Sequence, residues 1–305
     1  MTIRLALTLV LALVLAGCTG SDASAPGAGP SAPPSPPGTS GPARPGAAYD
    51  RYVALGDSYT AAPYVPSTAL ANGCLRSDAN YPARVADALD ADLVDVSCSG
   101  ADTAGLTAPQ HTFGSTRVPP QVDALTADTD LVTVGIGGND LDLFGTLLET
   151  CTTVRDRAPA GAPCRDRLDR RGIDIAQQVR VIGRHVEDAL ETVTGAAPRA
   201  RVLLVGYPRL APERGTCPAL LPLARGDYQL AREVQRGLDR VMRQAAGRAD
   251  VEFVSMYAAS AGHDICASDP WVNGQLTDQE AALAFHPFAE EMQAVADRVV
   301  ARLED

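Results

Sequence analysis

Five short apolar runs recur between residues 51 and 256, and a helical or irregular stretch separates each run from the next. The third run, residues 131–136, is apolar almost throughout, which is typical of a parallel strand covered on both faces. Strands that alternate with helices predict right-handed crossovers and an α/β fold, with one parallel sheet between two helical layers. The other four predicted strands are residues 52–55, 92–97, 201–206 and 251–256.

The spacing of apolar residues between and after these runs predicts four helices. They are residues 81–89, 172–194, 228–246 and a terminal helix through residues 288–303. Residues 141–172 form a mixed insertion between the third and fourth strands, and residues 61–80 form a loop without clear periodicity.

Residues 1–17 predict a signal peptide. Arg4 precedes an apolar run over residues 5–15, which is short for a membrane span because such a helix needs about 20 residues. Residues 15–18 read Leu-Ala-Gly-Cys, and this order resembles a bacterial lipoprotein signal. We expect cleavage before Cys18, lipid on its thiol and a place on the outer face of the cell membrane; the alternative is an ordinary secretory signal and a secreted protein.

Residues 18–48 predict a tether, since they are rich in Pro, Ala, Gly and Ser and cannot bury enough apolar surface to fold. Residues 49–305 then form one large domain.

The chain carries a net charge of −11, and all 26 of its basic residues are Arg. A binder of nucleic acid needs a basic cluster to neutralise phosphates, so this balance argues against that class.

Three polar or glycine residues each follow one of the first three predicted strands. They are Ser58, Gly100 and Asn139. Because the carboxyl ends of parallel strands meet at one edge of a sheet, we expect them to converge. Gly56, just before Ser58, is expected to adopt backbone angles that turn the serine outward. A hydroxyl nucleophile, backbone N–H groups at residues 58 and 100, and the amide of Asn139 are what acyl transfer requires.

A serine nucleophile also needs a base, and the chain has four histidines. His185 falls within a predicted helix and is expected on its surface, and His111 lies in a loop. His286 stands directly before a proline, which keeps it in extended backbone at the start of the last helix. We therefore favour His286 over His263 as the base.

These residues carry a family resemblance. The blocks Gly56-Asp57-Ser58, Gly100, Gly137-Gly138-Asn139-Asp140 and His286 resemble the four ordered motifs of the SGNH (GDSL-type) hydrolases. The similarity is greatest to the secreted actinobacterial lipase and esterase branch. It implies a three-layer, flavodoxin-like fold with a five-stranded parallel sheet, and ester hydrolysis through an acyl-enzyme without cofactor or metal. It also implies a small-molecule or lipid ester as substrate, and we expect a monomer.

By the same resemblance, Ser58 is the nucleophile, His286 the base, and Ser58, Gly100 and Asn139 the oxyanion donors. One position departs from the family pattern, because Leu283 stands where the family has an Asp. We favour a Ser–His dyad in which the carbonyl of residue 283 or 284 orients His286. The alternative is a triad whose acid is Asp278 or Asp264.

The cysteines fit an exported enzyme. Six remain besides Cys18, an even number that indicates disulfides and permits 15 pairings. The resemblance favours Cys74–Cys98, Cys151–Cys164 and Cys217–Cys266.

Other functions stay open at this point. The same scaffold could carry a carbohydrate O-acetylesterase or a phospholipase. A cell-surface binding protein without activity is a third reading. The joint presence of Ser58, Gly100, Asn139 and His286 favours an enzyme, because binding alone would not require all four.

Overall fold

The structure is a computed structural model and describes residues 49–114 and 116–304. The predicted signal peptide, Cys18 and the tether lie outside the described residues. Within those residues the central sheet has five parallel strands in the order β2-β1-β3-β4-β5, which confirms the predicted fold class. The strands are β1 (Arg51–Gly56), β2 (Asp92–Asp95), β3 (Leu131–Gly135), β4 (Arg201–Val205) and β5 (Glu252–Val254).

Nine α-helical segments accompany the sheet in the described ranges. They are α1 (Ser58–Ala61), α2 (Tyr81–Leu89), α3 (Ala104–Thr107), α4 (Cys151–Val154), α5 (Pro163–Arg170), α6 (Ile175–Ala196), α7 (Asp227–Arg248), α8 (Met256–Ala259) and α9 (Ala289–Glu304). Single 3₁₀ turns cover Gln121–Ala124, Asp140–Asp142 and Arg155–Arg157, and a π-helical turn covers Gly145–Thr150. Two short antiparallel pairs join Thr68–Ala69 to Arg76–Ser77 and Gln110–His111 to Arg117–Val118.

The alternation of side chains along β1 produces the three layers. Val53 and Leu55 enter the core that the sheet shares with α6 and α7, whereas Tyr52 and Ala54 enter the core shared with α2 and α9. Helices α6 and α7 pack against each other on one face, and α2 and α9 do so on the other. Both faces of β1 and β3 are therefore buried, as their apolar sequences predict.

Local polar contacts determine where several elements begin and end. The side chain of Asn80 accepts from Ala83 N and caps α2, and Asp174 caps α6 by accepting from Gln177 N. Strand β2 ends two residues earlier than predicted, because Asp95 Oδ1 accepts from both the N–H and the hydroxyl of Ser97 and turns the chain.

Three disulfides are present among the described residues: Cys74–Cys98 and Cys217–Cys266 join loops, and Cys151–Cys164 joins α4 to α5. These are the pairings that the resemblance favours. Over the part of the chain that the structure describes, no helix is long and apolar enough to cross a membrane. The same residues contain no group of three or more side chains suited to a metal ion.

Candidate active site

Ser58 lies at the first position of α1, directly beyond the carboxyl end of β1. Strand β1 ends at Gly56, whose missing side chain leaves room for Thr60: a Cβ at Gly56 would lie 2.2 Å from Thr60 Oγ1. Gly56 does not have a positive φ, so the prediction that it supplies unusual backbone angles is wrong. The glycine is required because the chain folds tightly back over the end of its own strand.

Asp57 holds this turn in place from the buried side. Its carboxylate caps α1 by accepting from Tyr59 N at 2.8 Å, and it accepts from the Tyr207 hydroxyl at 2.5 Å. The same hydroxyl accepts from Gly138 N at 2.7 Å. Burial raises the pKa of Asp57 to about 7. Tyr207 thereby ties the turn that carries Ser58 to the loop that carries Asn139.

His286 contacts Ser58 directly. Its Nε2 lies 2.8 Å from Ser58 Oγ, and its Nδ1 lies 2.7 Å from the carbonyl oxygen of Ala284. A carbonyl can only accept, so Nδ1 carries the hydrogen and Nε2 presents a lone pair to the serine hydroxyl. This is the tautomer that can take a proton from Ser58.

The backbone before His286 is held in a conformation that a bulky residue rarely adopts. Phe285 has a φ of +61°, and this left-handed residue lets the imidazole turn back to the carbonyl of Ala284. Three contacts hold it there. Phe285 N donates to Gly274 O at 2.9 Å, its carbonyl accepts from the Tyr59 hydroxyl at 2.7 Å, and its ring packs against the core.

The surroundings of His286 keep it neutral. Desolvation by burial lowers the pKa of His286 to about 4, against a smaller opposing effect of the hydrogen bond to Ala284. The ring of Tyr59 lies 5.3 Å from the imidazole, centroid to centroid, and packs in turn on Phe144 and Tyr207. This aromatic cluster forms a wall of the site.

The two carboxylates considered as a third catalytic residue are engaged elsewhere. Asp264 Oδ1 accepts from Cys266 N at 2.9 Å, and the exposed Asp278 accepts from Glu280 N at 2.9 Å. The Nδ1 of His286 is already paired with Ala284 O. His286 is therefore paired with Ser58 at Nε2 and with a backbone carbonyl at Nδ1.

Gly100 and Asn139 lie on loops that are joined to the serine turn and to each other. Cys98 N donates to Gly56 O at 2.9 Å, which draws the loop of Gly100 to the end of β1. Gly100 has a φ of +81° and is exposed, so its identity matters for the turn. Asn139 Nδ2 donates to Ala101 O at 2.8 Å. An amide nitrogen has two hydrogens, so this bond orients the side chain and leaves one N–H for another acceptor.

The other three histidines have different surroundings. His111 is exposed in a short strand pair, and His263 Nδ1 lies 2.8 Å from Asp269 O while its ring stacks on Trp271 at 4.3 Å. His185 lies on α6 with its Nδ1 2.9 Å from Asp140 Oδ2.

Sequence reasoning missed Tyr207 and the pair His185–Asp140. Tyr207 lies two residues beyond the end of β4, so the strand-end rule that singled out Ser58 and Asn139 also applied to it. The pair His185–Asp140 joins positions 45 residues apart, and no local sequence pattern predicts that these two side chains meet.

Comparison with known proteins shows the family to which the chain belongs. A model of the GDSL-like lipase/acylhydrolase family matches residues 54–294. Lipase 2 of Streptomyces coelicolor is 40% identical over 223 residues, which cover 70% of this chain and 72% of that lipase. An esterase of Streptomyces scabiei is 32% identical, with 76% of this chain and 77% of the esterase covered.

Solved structures show the same fold. The extracellular lipase of Streptomyces rimosus superposes with a TM-score of 0.67 at 24% identity, covering 83% of this chain and 99% of that one. Phospholipase A1 of Streptomyces albidoflavus superposes with a TM-score of 0.64 at 26% identity over the same shares. The chain therefore belongs to the GDSL-like lipase/acylhydrolase family, the SGNH hydrolases, and is a carboxylic ester hydrolase.

Proposed function

We propose that this enzyme hydrolyses esters through an acyl-enzyme on Ser58, with His286 as its only side-chain partner. Ser58 Oγ attacks the ester carbonyl carbon while its proton passes to His286 Nε2. The tetrahedral intermediate collapses, and the leaving alkoxide takes that proton as the alcohol departs. Water then attacks the acyl-enzyme with His286 again as base, which releases the acid and restores the serine.

The observation that carries this proposal is the chain of contacts from Ser58 Oγ through His286 to Ala284 O, at 2.8 and 2.7 Å. The carbonyl selects the tautomer that a family Asp would otherwise select. The oxyanion would be bound by the backbone N–H groups of Ser58 and Gly100 and by the second N–H of Asn139.

A serine-directed phosphonate tests the nucleophile. It should label the wild-type enzyme at Ser58 and stop hydrolysis of p-nitrophenyl butyrate. Ser58→Ala should lose turnover by about 10⁶-fold while its circular dichroism and Tm stay those of the wild type. Labelling at another residue, or a folded and active Ser58→Ala enzyme, would contradict the mechanism.

Phospholipase activity is a second candidate. The similarity to phospholipase A1 of Streptomyces albidoflavus, at 26% identity over 83% of this chain, favours it. A panel of p-nitrophenyl esters from acetate to palmitate, run beside a phosphatidylcholine substrate, separates the two activities. Release of fatty acid from the phospholipid at a rate comparable to the best p-nitrophenyl ester would favour the phospholipase.

We also infer export and lipid attachment at Cys18, on the strength of the Leu-Ala-Gly-Cys pattern at residues 15–18. The tether of residues 18–48 would hold the catalytic domain away from the membrane. Radioactive palmitate should enter the wild-type protein and be lost from Cys18→Ala. Equal labelling of both proteins would place the lipid elsewhere or show that the labelling is unspecific.

A further inference from the structure

Four of the six exposed large hydrophobic side chains among the described residues lie on loops that contact the segments of Gly100 or His286. We call this set the apolar rim. It consists of Leu70, Phe113, Leu220 and Leu276, which are 65, 62, 45 and 77% exposed. Among the described residues, the other two exposed large hydrophobics are Val94, on the edge strand β2, and Leu141, between Asp140 and Asp142.

Two rim residues lie on the Gly100 side. A Cβ at Gly100 would lie 3.7 Å from Phe113 Cε2, so this ring borders the glycine. The neighbouring Thr112 donates from its hydroxyl to Asn72 O at 2.6 Å, within the turn that Leu70 closes by accepting from Gly73 N. Leu70 and Phe113 therefore lie on adjoining turns.

The other two rim residues lie on the His286 side. Asn273 N donates to His286 O at 2.9 Å, and Asn273 Nδ2 donates to Leu276 O at 2.8 Å. Gln275 N donates to Leu220 O at 2.9 Å, which fastens the second loop to the first. Ser58 Oγ is bonded to His286, and two residues upstream Gly56 O accepts from Cys98 N in the loop of Gly100, so the serine turn is joined to both halves of the rim.

Disulfides hold the rim in this position. Cys74–Cys98 joins the turn of Leu70 to the segment that leads into Gly100, and Ser99 N donates to Cys74 O beside it. Cys217–Cys266 fastens the loop that carries Leu220. The disulfides fix these loops with their apolar side chains exposed to solvent. The rim is therefore exposed before any ligand binds.

The tips of the rim loops are uncharged, although Arg76 and Arg117 lie on the strands that close two of them. Segments 69–75, 108–114, 217–224 and 271–277 contain no Asp, Glu, Lys or Arg, although charged residues make up 21% of the chain. The chain as a whole carries a net charge of −11, which repels an anionic bilayer. An apolar and uncharged contact face in an acidic protein matches a surface that is itself apolar and without net charge.

The position of Ser58 indicates what kind of partner binds the apolar rim. Whatever covers both halves of the rim also covers the serine turn that is joined to them. A protein bound there would block access of an ester, whereas a lipid surface would deliver one. We propose that the apolar rim docks the enzyme on the surface of aggregated, uncharged lipid ester, with the ester bond facing Ser58. This inference deepens the proposed function, on which it rests, by naming the physical state of the substrate.

Vesicle binding tests the proposal. The protein is the chain from residue 18 with Cys18→Ser, which has no acylated thiol and contains every described residue. Flotation with phosphatidylcholine vesicles should show binding that exceeds binding to vesicles containing anionic phosphatidylglycerol. Phe113→Ser combined with Leu276→Ser should weaken binding at least about tenfold, because each side chain loses its transfer into lipid. Val94→Ser is the matched control, and it should leave binding and hydrolysis unchanged.

Two further readouts locate the contact and separate this inference from the proposed function. Trp271, the single tryptophan, lies in the uncharged loop of Leu276, and brominated phosphatidylcholine should quench its fluorescence. The double variant should lose at least about tenfold more activity on vesicle-borne ester than on soluble p-nitrophenyl butyrate. Ser58→Ala should bind vesicles like the wild type and hydrolyse nothing.

Several results would overturn the docking proposal. They are a wild-type protein that does not bind phosphatidylcholine vesicles, a wild type that prefers anionic vesicles, and a folded double variant that binds vesicles as well as the wild type does. Each can occur while soluble esters are still hydrolysed. A wild type that binds vesicles but turns over no ester would instead contradict the proposed function.

Discussion

Two histidines in this enzyme have opposite sets of partners. His185 has a carboxylate, Asp140 Oδ2, at 2.9 Å, and the hydroxyl in its cluster, Thr103 Oγ1, donates to that carboxylate and not to the imidazole. His286 has a serine hydroxyl at 2.8 Å, and a backbone carbonyl stands in the position of an acid. The His185 side chain is 40% exposed, whereas the imidazole of His286 is desolvated.

The contrast teaches that a carboxylate beside a histidine is a weak sign of catalysis. A base must be neutral before the reaction, and burial keeps His286, the proposed base, in that state against the smaller opposing effect of its hydrogen bond to Ala284 O. The carboxylate of Asp140 instead serves structure, because Thr103 N also donates to it at 2.8 Å. It joins the loop that follows Gly100 to the loop of Asn139, so the two candidate oxyanion arms are fastened to each other.

The largest expected difference in kcat is between the variants that lack the imidazole of His286 and of His185. His286→Ala should lower kcat by about 10⁴-fold or more, since His286 is the side chain bonded to Ser58 Oγ among the described residues. His185→Ala should keep kcat within about tenfold, because His185 touches none of the reacting atoms, and should lower Tm instead. Steady-state kinetics on p-nitrophenyl butyrate and thermal unfolding measure both effects.

Asp278→Asn and Asp264→Asn are the controls for this comparison. Each should keep activity within about tenfold of the wild type, because neither carboxylate is bonded to His286. A loss of thousands-fold in either folded variant would show that a triad operates and would identify its acid, as expected when Asp is changed to Asn in a true triad.

Asn139 and its neighbour Asp140 belong to the two compared regions, because Asn139 is a proposed oxyanion donor and Asp140 is bonded to His185. Substitution of Asn139 should give the next largest loss of kcat. Asn139→Ala should lower kcat by about 10²–10³-fold with little change in KM, because an oxyanion donor acts mainly in the transition state. Asn139→Asp keeps the shape, removes the amide donor and adds a negative charge, so it should be slower still. A raised KM at constant kcat would assign Asn139 to ground-state binding.

The smallest expected effect is the change of kcat/KM with pH, which reports specifically on the protonation of His286. The pKa of His286 is about 4, so the imidazole stays neutral and kcat/KM should change less than about twofold between pH 6.5 and pH 5. Protonation as the pH falls through about 4 should then remove activity. A base with the ordinary pKa of about 6.5 would lose about sixteenfold over the same interval. A limb near pH 6.5 would show that His286 is solvated or paired with an acid.

Much of this arrangement could be predicted from the sequence. The strand-end rule identified Ser58, Gly100 and Asn139, because the chemistry of a parallel sheet is concentrated at one edge. The proline after residue 286 singled out, among four histidines, the one whose Nε2 lies 2.8 Å from Ser58 Oγ. Helix α2 begins and ends where the apolar spacing predicts, since Asn80 provides a strong local cap.

The remaining features depend on contacts between distant residues. Sequence reasoning left the carbonyls of residues 283 and 284 as equal candidates, and the choice follows from the positive φ of Phe285, which Gly274 and Tyr59 enforce from elsewhere in the chain. Gly56 was assigned for its flexibility, whereas the structure needs it for the space that Thr60 occupies. Tyr207 carries no residue-type signal, because a tyrosine after a strand is most often part of the core.

The separation of Ser58 and His286 along the chain has a consequence for biosynthesis. The two residues are 228 positions apart, whereas the disulfides close loops of 24, 13 and 49 residues and none of them spans that interval. In the mechanism proposed above, a nascent chain on the ribosome has its nucleophile early but lacks the base until residue 286 has been synthesised and its loop has docked beside α1. An enzyme of this design is latent throughout its own synthesis and gains activity only once the loop of His286 has folded.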